Sequence, residues 1–402
     1  YTSSGRPLGI LPIYATSFPL NFLLVILPLD VGFTYQIALR LLLAGVGMFA
    51  FLRELKLNRT AALIGGITFA FNGFTIVWLN ATAGVTLSVA PLSFWAGERV
   101  LNKPTKTNLT LLAISIAILI SGGFLQVVVY VLYSLSAYLT FRIGLKAWQT
   151  RDWQRALKKL MIVSLAILLG IALMTPQLWS FWEHTKLTSY DEQRVGRGTV
   201  SEQLFHAIRY LIPGYYGTPA TRDRYGVFPE RTGYLGVLPI FLTGLAFASA
   251  WRRDRTVWCF AFLLILSIGM LYGAPFNKWI ARLPGLNVSS AIRIKCIIAL
   301  CVAVLAAFGL NDFQKRVSGQ PHRKVLAILT LVTLFQAAII VFTEIYWSPE
   351  GNGQFLHKSF EDSLWRLWVR GELWENPLSK SLAKYLLWVL ASLTVLTASM
   401  KG

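Results

Sequence analysis

Long apolar runs alternate with short basic interruptions along this chain. Runs near the roughly twenty residues that cross a hydrocarbon core recur at 32–52, 60–79, 83–101, 108–121, 124–141, 157–179, 233–251, 256–272, 293–310, 325–347 and 381–399. These eleven segments predict an all-α, polytopic transmembrane helix bundle. The shortest, 108–121, is separated from its successor only by Ser121-Gly122-Gly123 and reads as one arm of a tight hairpin. Residues 18–29 are apolar, too short to span and bounded by prolines, so they read as an interfacial or re-entrant stretch. Pro91, Pro176 and Pro239 fall inside predicted spans and mark expected kinks, which bundles use to open cavities.

Composition sharpens the class. Hydrophobic residues make up 55% of the 402 positions and charged residues 14%, against about 25% charged in a soluble domain. That shortfall excludes a disordered chain, a nucleic-acid-binding domain and an ordinary cytosolic enzyme. The net charge of +20 would raise nucleic acid as a partner in a soluble protein. Here the basic residues sit in short loops between apolar runs, so no nucleic-acid partner is expected. If the chain starts outside the cytoplasm, the inside loops are 53–59, 98–107, 142–159, 251–256 and 311–324. These hold 19 basic residues in 55 positions, against about 14 in roughly 145 outside. The positive-inside bias therefore predicts a multi-pass membrane protein with its first residue outside and its last residue cytoplasmic. Cys259, Cys296 and Cys301 lie in apolar runs without metal-ligand spacing and read as small buried hydrophobes.

Three regions follow from this threading. Residues 1–31 form the end of an outside loop with the re-entrant stretch. Residues 32–312 form a transmembrane core with a large outside loop at 180–232. Residues 313–402 form a C-terminal transmembrane hairpin around an outside segment at 348–380. Outside loops of that length are usually functional or disordered, and the aromatics and glycines of 180–232 favour function.

Nucleotide-binding, zinc-protease and serine-hydrolase motifs are absent from the sequence. The loop at 180–232 carries Glu183, His184, Asp191, Glu192, Arg194, Arg197, Glu202, His206, Arg209, Glu230 and Arg231. Arginines suit phosphate clamping and a carboxylate suits general-base work, although any single charge here also fits a solvated surface. The run Tyr210–Pro219 adds aromatic faces that suit either sugar rings or a membrane-interface belt. Arg40 lies inside the first apolar run, where a charge is costly unless paired or hydrated, and is read as facing a cavity. Glu98 and Arg99 are read as interfacial.

Several stretches, taken in order, resemble the YfhO-like family of bacterial membrane proteins: Gly5-Arg6-Pro7-Leu8, Phe18-Pro19-Leu20-Asn21, Leu27-Pro28, Arg59 through Phe74, Ala90-Pro91-Leu92 with Glu98-Arg99, Ser121 through Gln126, Glu230 through Pro239, and Ala307-Phe308-Gly309-Leu310. The resemblance covers about residues 1–312 and implies an integral-membrane glycosyltransferase of the GT-C type. Such an enzyme moves a sugar from a polyprenyl-phosphate donor to a cell-envelope glycan or lipid acceptor, such as a teichoic-acid-like polymer. Membrane lipids are its surroundings, and a divalent cation (Mg or Mn) is a conceivable cofactor. The family's catalytic carboxylate lies in the first outside loop, upstream of Tyr1, so the resemblance implies an N-terminally truncated chain with its catalytic aspartate unassigned. Glu183, Glu230 and His184 are the remaining candidates for acceptor or metal contact. Arg6, Arg40, Arg194, Arg197 and Arg231 are the candidate donor-phosphate contacts, around a cavity between residues 1–31, 180–232 and 273–292. A lipid-linked glycan polymerase or ligase, and a transporter or flippase of lipid-linked sugars, are the alternatives.

Overall fold

The computed structural model describes residues 15–186, 201–211, 228–248, 250 and 254–317. The predicted spans 325–347 and 381–399, and the segment 348–380, lie outside the described residues. Among the described residues every regular element is helical.

The chain enters through a 3₁₀ turn (Pro19–Phe22) and a single helical turn, α1 (Leu23–Ile26), before the long α2 (Leu29–Glu54). Phe18 and Leu23 are buried in this entry, while Val25 and Ile26 face outward, so the short stretch lies against the bundle with one apolar side exposed. The predicted span 60–79 is two pieces, α3 (Arg59–Ala70) and α4 (Gly73–Val77). Asn72 makes the break: its side chain accepts from the Thr75 amide, capping α4, and its amide group donates to the Phe69 carbonyl ending α3. Next come α5 (Thr82–Asn102), α6 (Lys106–Ser121), α7 (Leu125–Thr150), α8 (Trp153–Leu173) and α9 (Thr175–Lys186). The later elements are α10 (Phe228–Arg231), α11 (Val237–Ala248), α12 (Thr256–Leu271), α13 (Asn277–Ile280), a 3₁₀ turn (Ala291–Ile294) and α14 (Lys295–Val317).

Among the described residues four helical stretches are long and apolar enough to cross a bilayer: Leu29–Glu54, Leu125–Thr150, Trp153–Leu173 and Ala291–Arg316. The remaining predicted spans within the described residues are shorter, broken or less apolar. The helices α6, α11 and α12 have 16, 12 and 16 residues, below the length that spans alone without help from flanking structure. Helix α5 has 21 residues, including Thr86, Ser88 and Ser93, all buried. It is packed between α2, α6 and α7, so its polar groups meet protein rather than lipid.

Proline has different effects at its three positions. Pro91 lies within α5. Pro176 opens α9 directly after α8 ends, so the expected kink is a full break. Pro239 falls in the first turn of α11, where a missing N–H costs nothing. The basic loop expected at 142–159 is mostly helical, because α7 continues to Thr150 and only Arg151 and Asp152 separate it from α8.

One continuous core joins α2, α3, α5, α6, α7, α12 and α14. At its centre Phe51, Phe94, Tyr138 and Phe260, from four helices, form a ring cluster with centroids 5.3–6.4 Å apart. Helices α11 and α14 pack closely. A Cβ at Gly309 would lie 1.9 Å from the Leu242 carbonyl oxygen, so only glycine permits that approach. Helix α8 exposes Leu157, Met161, Leu165, Leu168, Leu169 and Leu173, an apolar face of the kind lipid tails cover.

Candidate functional site

Three chain-distant segments meet at the bundle end that holds the α4–α5 and α6–α7 turns. The first is 201–211, tied down where the Glu202 amide donates to the Leu271 carbonyl at the end of α12 (2.8 Å). The second is 228–235, held where the Gly73 amide donates to the Tyr234 carbonyl (2.6 Å) and the Leu235 amide donates to the Tyr210 carbonyl (3.1 Å). The third is 289–295, leading into α14, where the Tyr130 hydroxyl donates to the Ser290 carbonyl (3.0 Å). The helix break at Asn72 frees the Gly73 amide for this contact. A Cβ at Gly73 would sit 2.7 Å from the Tyr234 nitrogen, so glycine is required there.

These segments build a charged cluster. Lys295 Nζ donates to Glu202 Oε1 at 2.7 Å and to the Glu230 carbonyl at 2.9 Å. Both charged side chains of the Lys295–Glu202 pair are almost fully buried. Arg293 donates to Glu230 Oε1 at 2.5 Å. Its guanidinium lies 4.9 Å from the Trp78 ring and 4.6 Å from the Phe124 ring, a cation–π seat made by the two turns. Arg231 Nη1 donates to His206 Nε2, and Arg209 is fully buried beside them. Burial, then the charges of Arg231, Arg209 and Lys295, push the His206 imidazolium down to about 3. His206 is therefore neutral near pH 7, and it gives Arg231 a hydrogen-bond acceptor without a countercharge. Burial also raises the Glu202 carboxyl above the usual carboxylate range, against the opposing pull of Lys295, Arg231 and Arg209.

Arg40 occupies a neighbouring polar pocket within α2. It donates to the Gln36 side chain and, at 3.2 Å, to the Leu79 carbonyl. Gln36 donates in turn to Asn21 (2.5 Å), and Asn21 donates to the Ala15 carbonyl (2.6 Å), closing the entry stretch over α2. Among the described residues Arg40 Nε, which is buried, has no hydrogen-bond partner. Leu79 follows Trp78 in the chain, so a single turn touches both Arg40 and Arg293.

The site residues expected from sequence are distributed unevenly. Glu230 and Arg231 are in the cluster, and Arg40 is beside it. Glu183 is exposed on α9, where it accepts from Trp179 Nε1 at 2.8 Å. His184 lies in α9, but its side chain is not among the described ones, and Arg6, Arg194 and Arg197 lie outside the described residues. Arg293 and Lys295 stood unremarked at the head of an apolar run, and Glu202, His206 and Arg209 were undistinguished members of a charged loop. A divalent cation finds no ligand set here: among the described residues no three His, Cys, Asp or Glu side chains converge. One Glu202 oxygen is held by Lys295, and one Glu230 oxygen by Arg293.

At the other end of the bundle Glu98, read as interfacial, is a buried and paired carboxylate. It is 1% exposed, accepts from the Tyr138 hydroxyl at 2.6 Å and pairs with Arg142 at 2.5 Å.

Fold and site together define a helical membrane protein with a cationic cluster at one end of its bundle. The chain belongs to the YfhO family of bacterial membrane proteins, whose family model matches residues 12–396. That match runs well beyond the 1–312 stretch marked by short motifs, and it begins after Gly5–Leu8. No curated protein and no solved structure matches the chain.

Proposed function

We propose that this protein is a membrane glycosyltransferase that takes a sugar from a polyprenyl-phosphate donor, with the cluster around Arg231, Arg293 and Arg40 receiving the donor phosphate. One observation carries the reading: among the described residues Arg40 and Arg231 hydrogen-bond only to neutral groups, Gln36, the Leu79 carbonyl and His206. A guanidinium at a membrane site whose hydrogen bonds go to neutral groups is open to an anionic ligand. Guanidinium groups match phosphate oxygens in planar, two-pronged geometry. Family membership and the apolar helices support a lipid-borne anion.

In the proposed reaction the acceptor hydroxyl oxygen attacks the anomeric carbon and loses its proton to a carboxylate. The bond from that carbon to the phosphate oxygen breaks, and the electron pair leaves with the polyprenyl phosphate. Arg231 and Arg293 stabilise the charge that grows on the departing phosphate. Glu230 and Glu202 position Arg293 and Lys295 and are not assigned as the base. The base is left unassigned among the described residues. The acceptor is proposed to be an envelope glycan or lipid outside the cytoplasm.

The test uses the full chain in sealed lipid vesicles with a panel of polyprenyl-phosphate hexoses and membrane extract as acceptor. Release of polyprenyl phosphate is expected, with Arg231→Gln slowing it by 10²-fold or more, the size of effect seen when one transition-state donor is lost. Movement of the lipid across the bilayer without release would mark a flippase. Equal binding of polyprenol and polyprenyl phosphate, with no release of phosphate, would sink the proposal.

A further inference from the structure

The end of the bundle opposite the cationic cluster holds a cavity of about 330 Å³ between the final turns of α5 and α7 and the first turns of α8. Its charged lining is Glu98, Arg142, Lys146, Asp152, Arg155 and Lys159. Both carboxylates are already engaged. Glu98 holds Arg142 and Tyr138. Asp152 caps α8 by accepting from the Arg155 amide (2.8 Å) and pairs with the Arg155 side chain (3.3 Å). Lys146 and Lys159 have no carboxylate partner among the described residues. Among the described residues the Lys159 ammonium donates to the Leu101 carbonyl (2.8 Å), and it feels the charges of Lys146 and Arg155 against that of Glu98. Four cations thus face two engaged carboxylates around the cavity, an excess of positive charge that a bound anion would offset.

The level of the cavity says which anion. Trp148 and Trp153 flank the α7–α8 turn with about 60% of their surface exposed, and exposed tryptophan marks the headgroup zone of a bilayer. The apolar face of α8 begins one turn further on, at Leu157 and Met161. The cavity thus opens where headgroup phosphates lie, and basic pockets between helices on the positively charged side hold such headgroups. We propose that this cavity binds the phosphate of an anionic lipid headgroup. The proposal rests on no part of the glycosyl-transfer reading.

The experiment measures binding of a fluorescent phosphatidylglycerol to the full chain in neutral detergent micelles, with phosphatidylcholine and inorganic phosphate as competitors. Unlabelled phosphatidylglycerol should displace the probe, and phosphatidylcholine should not. Each basic residue near an anionic lipid is worth about fivefold in affinity. Lys146→Gln, at an exposed position with no side-chain partner, should weaken binding about fivefold, and Lys146→Gln/Lys159→Gln about 30-fold. The control, Lys56→Gln/Arg59→Gln, removes two exposed charges from the same end away from the cavity and should bind as wild type does. Displacement by inorganic phosphate at low millimolar concentration would overturn the lipid source in favour of a soluble phosphate ligand. Equal weakening by the control, or unchanged binding in the cavity variants, would overturn the site.

Discussion

Lys295 and Glu202 form an ion pair shut away from water at both ends, and breaking one partner of such a pair costs more than the pair itself is worth. Lys295→Met should lower unfolding stability in detergent by about 3–5 kcal/mol, because it leaves a buried carboxylate unpaired. Adding Glu202→Gln should recover much of that loss, and a double variant as unstable as the single one would count against the pairing. His206 gives a pH signature. Its folded value of about 3 lies below the ordinary 6.5, so between these values the unfolded chain binds the proton and the folded chain does not. Stability is therefore lost as pH falls from about 6.5 towards 3. The raised carboxyl of Glu202 acts in the opposite sense, since the folded chain takes up that proton first on acidification. The difference between wild type and His206→Gln in thermal unfolding at pH 7 and pH 4.5 isolates the histidine: the variant should lose less stability on acidification. Arg40, Glu230 and Arg231 were legible in the sequence because a charge inside an apolar run, or an acid and base beside a Gly-Tyr turn, stands out locally. Arg293 and Lys295 were not, because basic residues flank most membrane helices, and their carboxylates come from segments 63 and 93 residues away.

At the scale of elements, the break between α3 and α4 decides where the site is. Asn72 ends one helix and starts the next, and the amide freed at Gly73 fastens the 228–235 segment through Tyr234. Gly73→Ala would press a methyl group against the Tyr234 backbone. A backbone neighbour cannot swing aside as a side chain can, so overpacking of about 1–3 kcal/mol is expected. Because Tyr234 follows Glu230 by four positions and Arg231 by three, this variant should weaken donor-phosphate binding as well as stability. Lost stability with unchanged phosphate affinity would show that the break does not position the site. The apolar pattern located this region as one span, since hydropathy averages over a one-residue interruption. The Asn-Gly pair at 72–73 was the available sign that it is two helices. The burial of Glu98 was hidden for a related reason: its place near a helix end was legible, but its partners Tyr138 and Arg142 lie one helical turn apart on α7, a different helix.

Across the whole molecule, two basic sites lie at opposite ends of one bundle, and the donor-phosphate reading depends on which way it is threaded. On the proposed threading, which rests on the density of lysine and arginine in the short turns, the Lys146–Lys159 cavity faces the cytoplasm and the Arg231–Arg293 cluster faces outside. The three native cysteines are buried, so a single introduced thiol can report the threading. Lys103→Cys lies in the exposed α5–α6 turn, and Lys278→Cys on the exposed side of α13. A membrane-impermeant maleimide should label Lys278→Cys in intact cells and label Lys103→Cys only after permeabilisation. The reversed pattern would put the cationic cluster in the cytoplasm, where a lipid-linked sugar facing outward could not reach it. It would also place the second cavity in the outer leaflet. The donor-phosphate reading would then fall, while the second cavity, assigned by its depth and not its leaflet, would still face lipid headgroups. The expected pattern leaves one consistent arrangement: a lipid phosphate held at the inner surface, and a donor phosphate received at the outer one.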